Sequence, residues 1–310
     1  MDASRVQILR VGQEADGQRL DNFLLRHLKG LPKSRTYRIV RKGEVRINGC
    51  RVKPSTRLKL GDLVRVPPIR DLREKSSAVG NFRDLESIIL HEDDNLIVLN
   101  KPAGMAVHGG SGVSAGVIET IRRARTDLSS AELVHRLDRA TSGCLMIAKR
   151  RHYLKVLQDS LRQPGTITKT YEAVVHGRWR HSTLVIEEPL LTNSRSNGER
   201  HTRVHPDGKP ALTLVRCKIA GDDLSLIEVK PMTGRTHQIR VHCRWHRHAI
   251  VGDDRYGDKD ADKCLKVRPG RMLLHAKQLI IPAMDNYDSI EVTASLDTAF
   301  RTFLESTLIK

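Results

Sequence analysis

Disulfide chemistry is the first thing this sequence lacks the means for. Its five cysteines, Cys50, Cys144, Cys217, Cys243 and Cys264, stand at irregular spacings with no Cys-x-x-Cys pair. That excludes a disulfide framework and a zinc ribbon, and a reducing, cytoplasmic setting is expected. No uninterrupted apolar run approaches the roughly 20 residues a bilayer span requires, and Met1 to Arg10 has no apolar core of signal-peptide length. Neither export nor a membrane location is expected. A glycine-rich nucleotide-binding loop is also missing, so a reaction driven by nucleotide hydrolysis is disfavoured.

Acidic residues are scarce too: 36 Asp and Glu face 54 Lys and Arg, for a net charge of +18. Such an excess points to a polyanionic partner, nucleic acid above all. The imbalance is uneven, because residues 1–75 carry 19 basic and 8 acidic side chains, a net of +11. With 310 residues the chain is long enough for two domains.

The basic first quarter has its own architecture. Leu20, Phe23, Leu24 and Leu28 form a helical stripe, with Gly30 placed to end it. Pro32-Lys33-Ser34-Arg35 opens a second helix that Ser34 can cap and Gly43 can stop. Along it, Arg35, Arg38, Arg41 and Lys42 interleave with Ile39 and Val40. Val45 and Ile47 alternate with Arg46 before Asn48-Gly49, a strong hairpin signal, and Leu63 to Val66 supply another strand. Residues 68–84 lack an apolar period and read as a linker.

The chemistry is densest in His135-Arg136-Leu137-Asp138-Arg139-Ala140-Thr141-Ser142-Gly143. A carboxylate flanked by Arg136 and Arg139 is biased toward its ionised form, which suits a nucleophile better than a general acid. Cys144 to Ala148 is a short apolar run that reads as a buried strand, with Asp138 on the loop entering it. Farther on, Thr168 to Val175 alternates as a strand that places Lys169 and Tyr171 on one face. The acidic turn Glu92-Asp93-Asp94 reads as solvated. The cluster His237, His242, Cys243, His246 and His248 matches no zinc-finger spacing, and no metal is expected.

Two resemblances gather these pieces. Residues 18–67, with Ser34-Arg35, Lys42-Gly43-Glu44-Val45 and Ile47-Asn48-Gly49, resemble the S4 RNA-binding domain. Residues 86–285 resemble the RluA-type pseudouridine synthases, through Asn100-Lys101-Pro102-Ala103-Gly104, the nine residues around Asp138, the Lys169-Thr170-Tyr171 strand, Gly234-Arg235-Thr236-His237-Gln238-Ile239-Arg240-Val241-His242, Asp253 to Asp258 and Leu273 to Ala276. The resemblance implies an α+β protein: an S4-like RNA-binding domain over 1–67, a linker over 68–84, and a catalytic domain over 85–310 built on a mixed, largely antiparallel sheet. It implies Asp138 as the nucleophile, Tyr171 stacking on the target base and acting in proton transfer, and Arg240 paired with Asp138. Arg136 is the candidate to fill the space an extruded base leaves, with Lys169 as a substrate contact. Arg35, Arg38, Arg41 and Lys42 would grip RNA phosphates.

Within that family the details favour a monomer acting on large-subunit ribosomal RNA, with pre-ribosomal particles as a candidate partner and no cofactor. Transfer RNA is the main alternative substrate. A non-catalytic S4-type ribosome-assembly protein would explain the charge but not the three motifs in order. A glycoside hydrolase would need a second carboxylate, and none is marked.

Overall fold

In the computed structural model, residues 6–28, 33–68, 86–109, 116–194, 200–284 and 287–309 are described. The chain divides into two compact units, the first drawn chiefly from residues 1–79 and the second from residue 80 onward.

The first unit contains β1 (Gln7–Arg10), α1 (Leu20–His27), α2 (Lys33–Arg41), β2 (Arg46–Ile47), β3 (Cys50–Arg51) and β4 (Leu63–Val66), with an antiparallel sheet in the order β1-β4-β2-β3. Leu20, Phe23, Leu24 and Leu28, the predicted stripe, are buried with Ile39, Val40, Val45, Ile47, Val64 and Val66. Asn48 and Gly49 take φ of 49° and 79°, the left-handed pair that a two-residue hairpin turn needs. Asp21 ties the helices together by accepting hydrogen bonds from Arg19 Nη2 at 2.7 Å and Tyr37 Oη at 2.6 Å. Arg38, Arg41 and Lys42 are exposed, whereas the side chains of Ser34 and Arg35 and the positions of Gly30 and Pro32 lie outside the described residues, as do the 110–115 loop and linker residues 69–84.

In the second unit the strands are β5 (Ile89–Glu92), β6 (Leu96–Lys101), β7 (Glu132–Leu133), β8 (Ser142–Ala148), β9 (Thr168–His176), β10 (Thr183–Ile186), β11 (Leu190–Ser194), β12 (Arg200–Val204), β13 (Thr213–Ala220), β14 (Leu224–Pro231), β15 (Leu274–Ile281) and β16 (Ile290–Thr293). The helices are α3 (Val117–Ala124), α4 (Arg151–Arg162), α5 (Gln238–Trp245), α6 (Lys259–Cys264) and α7 (Thr298–Thr307). Among the described residues one sheet runs β10-β13-β14-β9-β15-β8-β6-β5, with β16 on β15 and β7 on β8. Its pairings are antiparallel except β15 on β8, which gives the mixed, largely antiparallel sheet expected. Every residue of β8 is buried, and Leu145, Met146 and Ile147 are fully so. Each such side chain stabilises the fold by about 1.5–3 kcal/mol.

The one parallel pairing fixes the site. His275 and Ala276 of β15 pair with Ser142 and Gly143 of β8, and Gly143 has a φ of +106°. A Cβ there would lie 2.2 Å from the Ala276 carbonyl oxygen. Glycine is therefore required where the Asp138 loop turns into the sheet. Gly143→Ala is expected to cost more than about 4 kcal/mol, seen as loss of soluble protein or a melting temperature lower by about 10 °C. A wild-type melt would show that this close approach is not needed.

The stretch from Leu191 to Asp207, whose polar sequence gave no clear period, contains the β11–β12 hairpin, paired Leu190↔Val204 through Ser194↔Arg200. Among its described residues Thr202 alone is buried, with Leu190 just before the stretch, so its sequence carries only a faint core signal.

Candidate active site

Asp138 sits on the loop before β8, where the Thr141 N–H donates to the Asp138 carbonyl at 3.1 Å. Beneath it is Lys101, fully buried at the end of β6. Its Nζ donates to the carbonyls of Pro102 at 2.9 Å, Met105 at 3.0 Å and Arg139 at 3.3 Å, three acceptors for the three protons of an ammonium group. The Gly104 N–H also donates to the Arg139 carbonyl, at 2.8 Å. Burial pushes the Lys101 amino group down to about 7, while the Asp138 carboxylate favours its charge. The Asn-Lys-Pro element thus pins the loop that carries Asp138.

The guanidinium against Asp138 comes from another part of the chain. Arg139 turns away, with Nε donating to the Gly104 carbonyl at 2.8 Å, and Arg136 is exposed on the cleft wall. Arg240, from α5, donates from Nη1 to Asp138 Oδ2 at 3.0 Å. The sequence-adjacent arginines therefore do not supply this contact. A distant helix delivers the partner instead.

Arg240 is itself held by a carboxylate that the sequence did not single out. Asp253, 1% exposed, accepts from Arg240 Nε at 2.7 Å and Nη2 at 2.6 Å, a bidentate pair. Its Oδ1 also accepts from the N–H groups of Arg255 and Tyr256 at 2.9 and 3.0 Å. The ring of Tyr256 lies under the guanidinium, 5.1 Å from Cζ to the centroid. Burial works against the charge of Arg240, but Asp253 and Asp138 more than offset it and raise its pKa. A single residue-pair signal in the sequence, the acid-rich Asp253-Asp254, was available for this role, but nothing local identifies which distant arginine it binds.

The start of α5 is locked in place by Gln238. Its Oε1 accepts from Thr233 Oγ1 at 2.8 Å and the Arg235 N–H at 3.0 Å, and its Nε2 donates to the Leu212 carbonyl and Thr213 Oγ1, each at 2.9 Å. The buried side chain is satisfied four times over, so the Gly-Arg-Thr-His-Gln turn has one conformation. His242 bridges Thr213 Oγ1 and the Glu188 carbonyl at 2.8 and 3.0 Å, and His248 meets the His176 carbonyl at 2.8 Å. These partners account for those two members of the histidine cluster. In the acidic turn, Glu92 pairs with Arg125 and Lys149, and Asp93 accepts the N–H groups of Asn95 and Leu96.

A cleft of about 920 Å³ opens over Asp138. Among the described residues Asp138 is the one carboxylate in its lining, beside Arg136, Arg162, Lys169, Arg200, Arg235, Arg240 and Arg255. Tyr171 and Lys169 reach it from the same face of β9, as their alternation required. Burial, with the Asp138 carboxylate adding to it, keeps the Tyr171 phenol protonated well above its usual range. Burial draws the Lys169 amino group downward. His135 accepts the Met146 N–H at Nε2 over 3.1 Å, and burial, helped by Lys169, pushes it down to about 3. It lines the cleft as a neutral ring.

A lone anion clamped by arginine, in a cationic cleft with a protonated tyrosine beside it, marks an enzyme for an anionic substrate. Residues 95–245 match the RNA pseudouridylate synthase family and residues 18–64 match the S4 domain. Over 308 residues the chain is 46% identical to the ribosomal large subunit pseudouridine synthase C of Haemophilus influenzae, covering 97% of this chain and 95% of that one. The protein of the same name from Escherichia coli K12 is 43% identical over 307 residues, with 97% and 96% covered. Among solved structures, human RNA pseudouridylate synthase domain containing 4 aligns with a TM-score of 0.58 at 26% identity, over 71% of this chain and 93% of that one. The chain belongs to the RNA pseudouridylate synthase family, enzymes that isomerise uridine within RNA.

Proposed function

We propose that this enzyme converts uridines of large-subunit ribosomal RNA to pseudouridine, with Asp138 as the nucleophile. The carrying observation is that Asp138, the one carboxylate among the described residues lining the cleft, is held by Arg240 at 3.0 Å. The reaction breaks the C1′–N1 bond of the target nucleotide and forms C1′–C5, with one proton leaving C5 and one gained at N1. Nothing is oxidised or reduced, so no cofactor is called for. Asp138 forms a transient bond to one fragment, sugar or uracil, while the other reorients, and that bond breaks to restore the carboxylate before the C1′–C5 product leaves.

A base must leave its stack to enter the cleft. Arg136, exposed at the cleft wall, fills the vacated space. Tyr171 stacks on the extruded uracil, and its proton serves the ring. Lys169 contacts the substrate near that ring. Ribosomal RNA as the substrate is supported by the names of the relatives, which match across nearly the whole chain. Five free cysteines, two of them exposed, fit a reducing cytoplasm where pre-ribosomal particles form. Among the described residues no helix is long and apolar enough to cross a membrane. The enzyme acts as a monomer in this reading.

Mapping pseudouridines in ribosomal and transfer RNA, from cells with and without the protein, tests the assignment. Loss of particular pseudouridines from large-subunit ribosomal RNA is expected. Loss confined to transfer RNA would move the substrate elsewhere, and release of free uracil would replace isomerisation by hydrolysis.

The S4-like domain, residues 1–67, holds the RNA through Arg35, Arg38, Arg41 and Lys42. Replacing Arg38, Arg41 and Lys42 together by alanine is expected to weaken binding to a ribosomal RNA fragment at every sequence tested. The plot of log affinity against log salt should flatten by about 3. The exposed positions leave the melt unchanged. An unaltered salt slope would remove these residues from the RNA contact.

A further inference from the structure

The carboxylate of Asp138 has two oxygens in different surroundings. Oδ2 takes the hydrogen bond of Arg240, and Oδ1 faces Nε2 of His237 across 3.8 Å. His237 lines the cleft, and its Nδ1 meets the hydroxyl of Tyr256 at 2.8 Å. We infer that Oδ1 is the attacking oxygen and that His237, held by Tyr256 as the tautomer with its proton on Nε2, is a positioning residue that aims it. This inference rests on the assignment of Asp138 as the nucleophile.

Hydrogen-bond arithmetic gives the tautomer. The Tyr256 oxygen accepts the Thr202 N–H at 2.9 Å, and among the described residues the acceptor that meets its own proton is Nδ1 of His237, at 2.8 Å. The opposite tautomer would turn the Nε2 lone pair toward a carboxylate oxygen, lone pair against lone pair. Burial, with Arg240 and Arg255 adding to it, outweighs the Asp138 and Asp253 carboxylates and disfavours a doubly protonated ring. A neutral Nε2–H therefore points at Oδ1. At 3.8 Å it is too far for a hydrogen bond in the free enzyme, as is common before substrate closes such contacts. It leaves Oδ1 uncapped for attack while limiting rotation of the carboxylate about the Arg240 contact.

The backbone carries an independent sign. His237 has a φ of +55°, in the left-handed region, at the residue that opens α5. A side chain other than glycine or asparagine costs of order 1 kcal/mol there. Folding alone would favour Gly or Asn at this position, so the imidazole is kept for what its ring does.

Two substitutions separate ring from backbone. His237→Gln places an amide N–H near the Nε2 position, and His237→Asn relieves the strain but falls short of Asp138. With a short ribosomal RNA substrate, the Gln variant is expected to keep kcat within about fivefold of wild type. The Asn variant is expected to lose more than about twentyfold in kcat with KM unchanged and a melting temperature no lower than that of wild type. In protein labelled with 15N-histidine, the signals missing from the Gln variant identify His237, and they should show Nε2 protonated and Nδ1 bare. Tyr256→Phe should then mix the two tautomers. A wild-type kcat in the Asn variant, or a proton found on Nδ1, would overturn the inference. If instead Asp138→Asn proved active, the nucleophile assignment itself would fall, which a full kcat in His237→Asn alone does not imply.

Discussion

Asp138→Asn is expected to lose uridine isomerisation by at least about 10³-fold in kcat, roughly 4 kcal/mol of barrier, while the protein stays folded and still binds RNA. The amide is nearly the same size but has no anionic oxygen to attack a nucleotide. Its neighbourhood survives the change. Arg240 keeps both hydrogen bonds to Asp253, and Lys101 keeps its three carbonyl partners. The Asp138 side chain is 28% exposed, so the substitution buries little that was not already partly solvated. The melting temperature should move by no more than a few degrees. RNA affinity should hold or rise slightly, because one negative charge leaves a cleft lined by cations. Single-turnover assays on a ribosomal RNA fragment, together with a binding titration, make the check. Normal turnover by the Asn variant would end the assignment of Asp138.

Much of this site was legible in the chain because its pieces are local and their periods clean. The apolar run after Gly143 is a strand buried on both faces, and Asp138 stands at its entrance as that pattern required. The two-residue alternation in β9 put Lys169 and Tyr171 on one side, and both line the cleft. Asn48-Gly49 made its hairpin from two left-handed residues, since few other pairs adopt that turn.

What stayed hidden depends on partners far apart in sequence. The arginines flanking Asp138 suggested the right electrostatics from the wrong residues. The contact is made by Arg240, 102 positions away, a pairing that the family resemblance implied and that no local pattern could show. Asp253 could not be singled out, because a buried carboxylate looks like any other aspartate until its arginine is known. The buried ammonium of Lys101 was concealed for the same reason, its acceptors being backbone carbonyls with no side-chain signature. The hairpin of β11 and β12 buries too little to leave a period.

Arg240→Met is expected to lose both activity and stability, and the two losses can be taken apart. Arg240 bridges Asp138 and Asp253, so its removal frees the nucleophile and strands a carboxylate that is 1% exposed. A buried charge deprived of its partner costs about 3–5 kcal/mol, or on the order of 10 °C in melting temperature for a protein of this size. The backbone N–H groups of Arg255 and Tyr256 remain on Asp253 and keep the cost toward the lower end. The sign of the pH dependence follows from the carboxylate. Burial alone would raise the Asp253 pKa, and in the native protein Arg240 holds it below the usual range, so this pair contributes stability above about pH 4 and loses it as pH falls further. Without Arg240 the carboxyl titrates upward, so the variant is most destabilised near neutrality and the gap to wild type narrows toward pH 4. Adding Asp253→Asn removes the stranded charge. The double variant should recover about 2 kcal/mol of stability and no turnover, because Asp138 still lacks its guanidinium. Arg240→Lys should fall between, since a point charge cannot reproduce the fork across two carboxylates. If the double variant regained isomerisation along with its melt, Arg240 would serve only the fold.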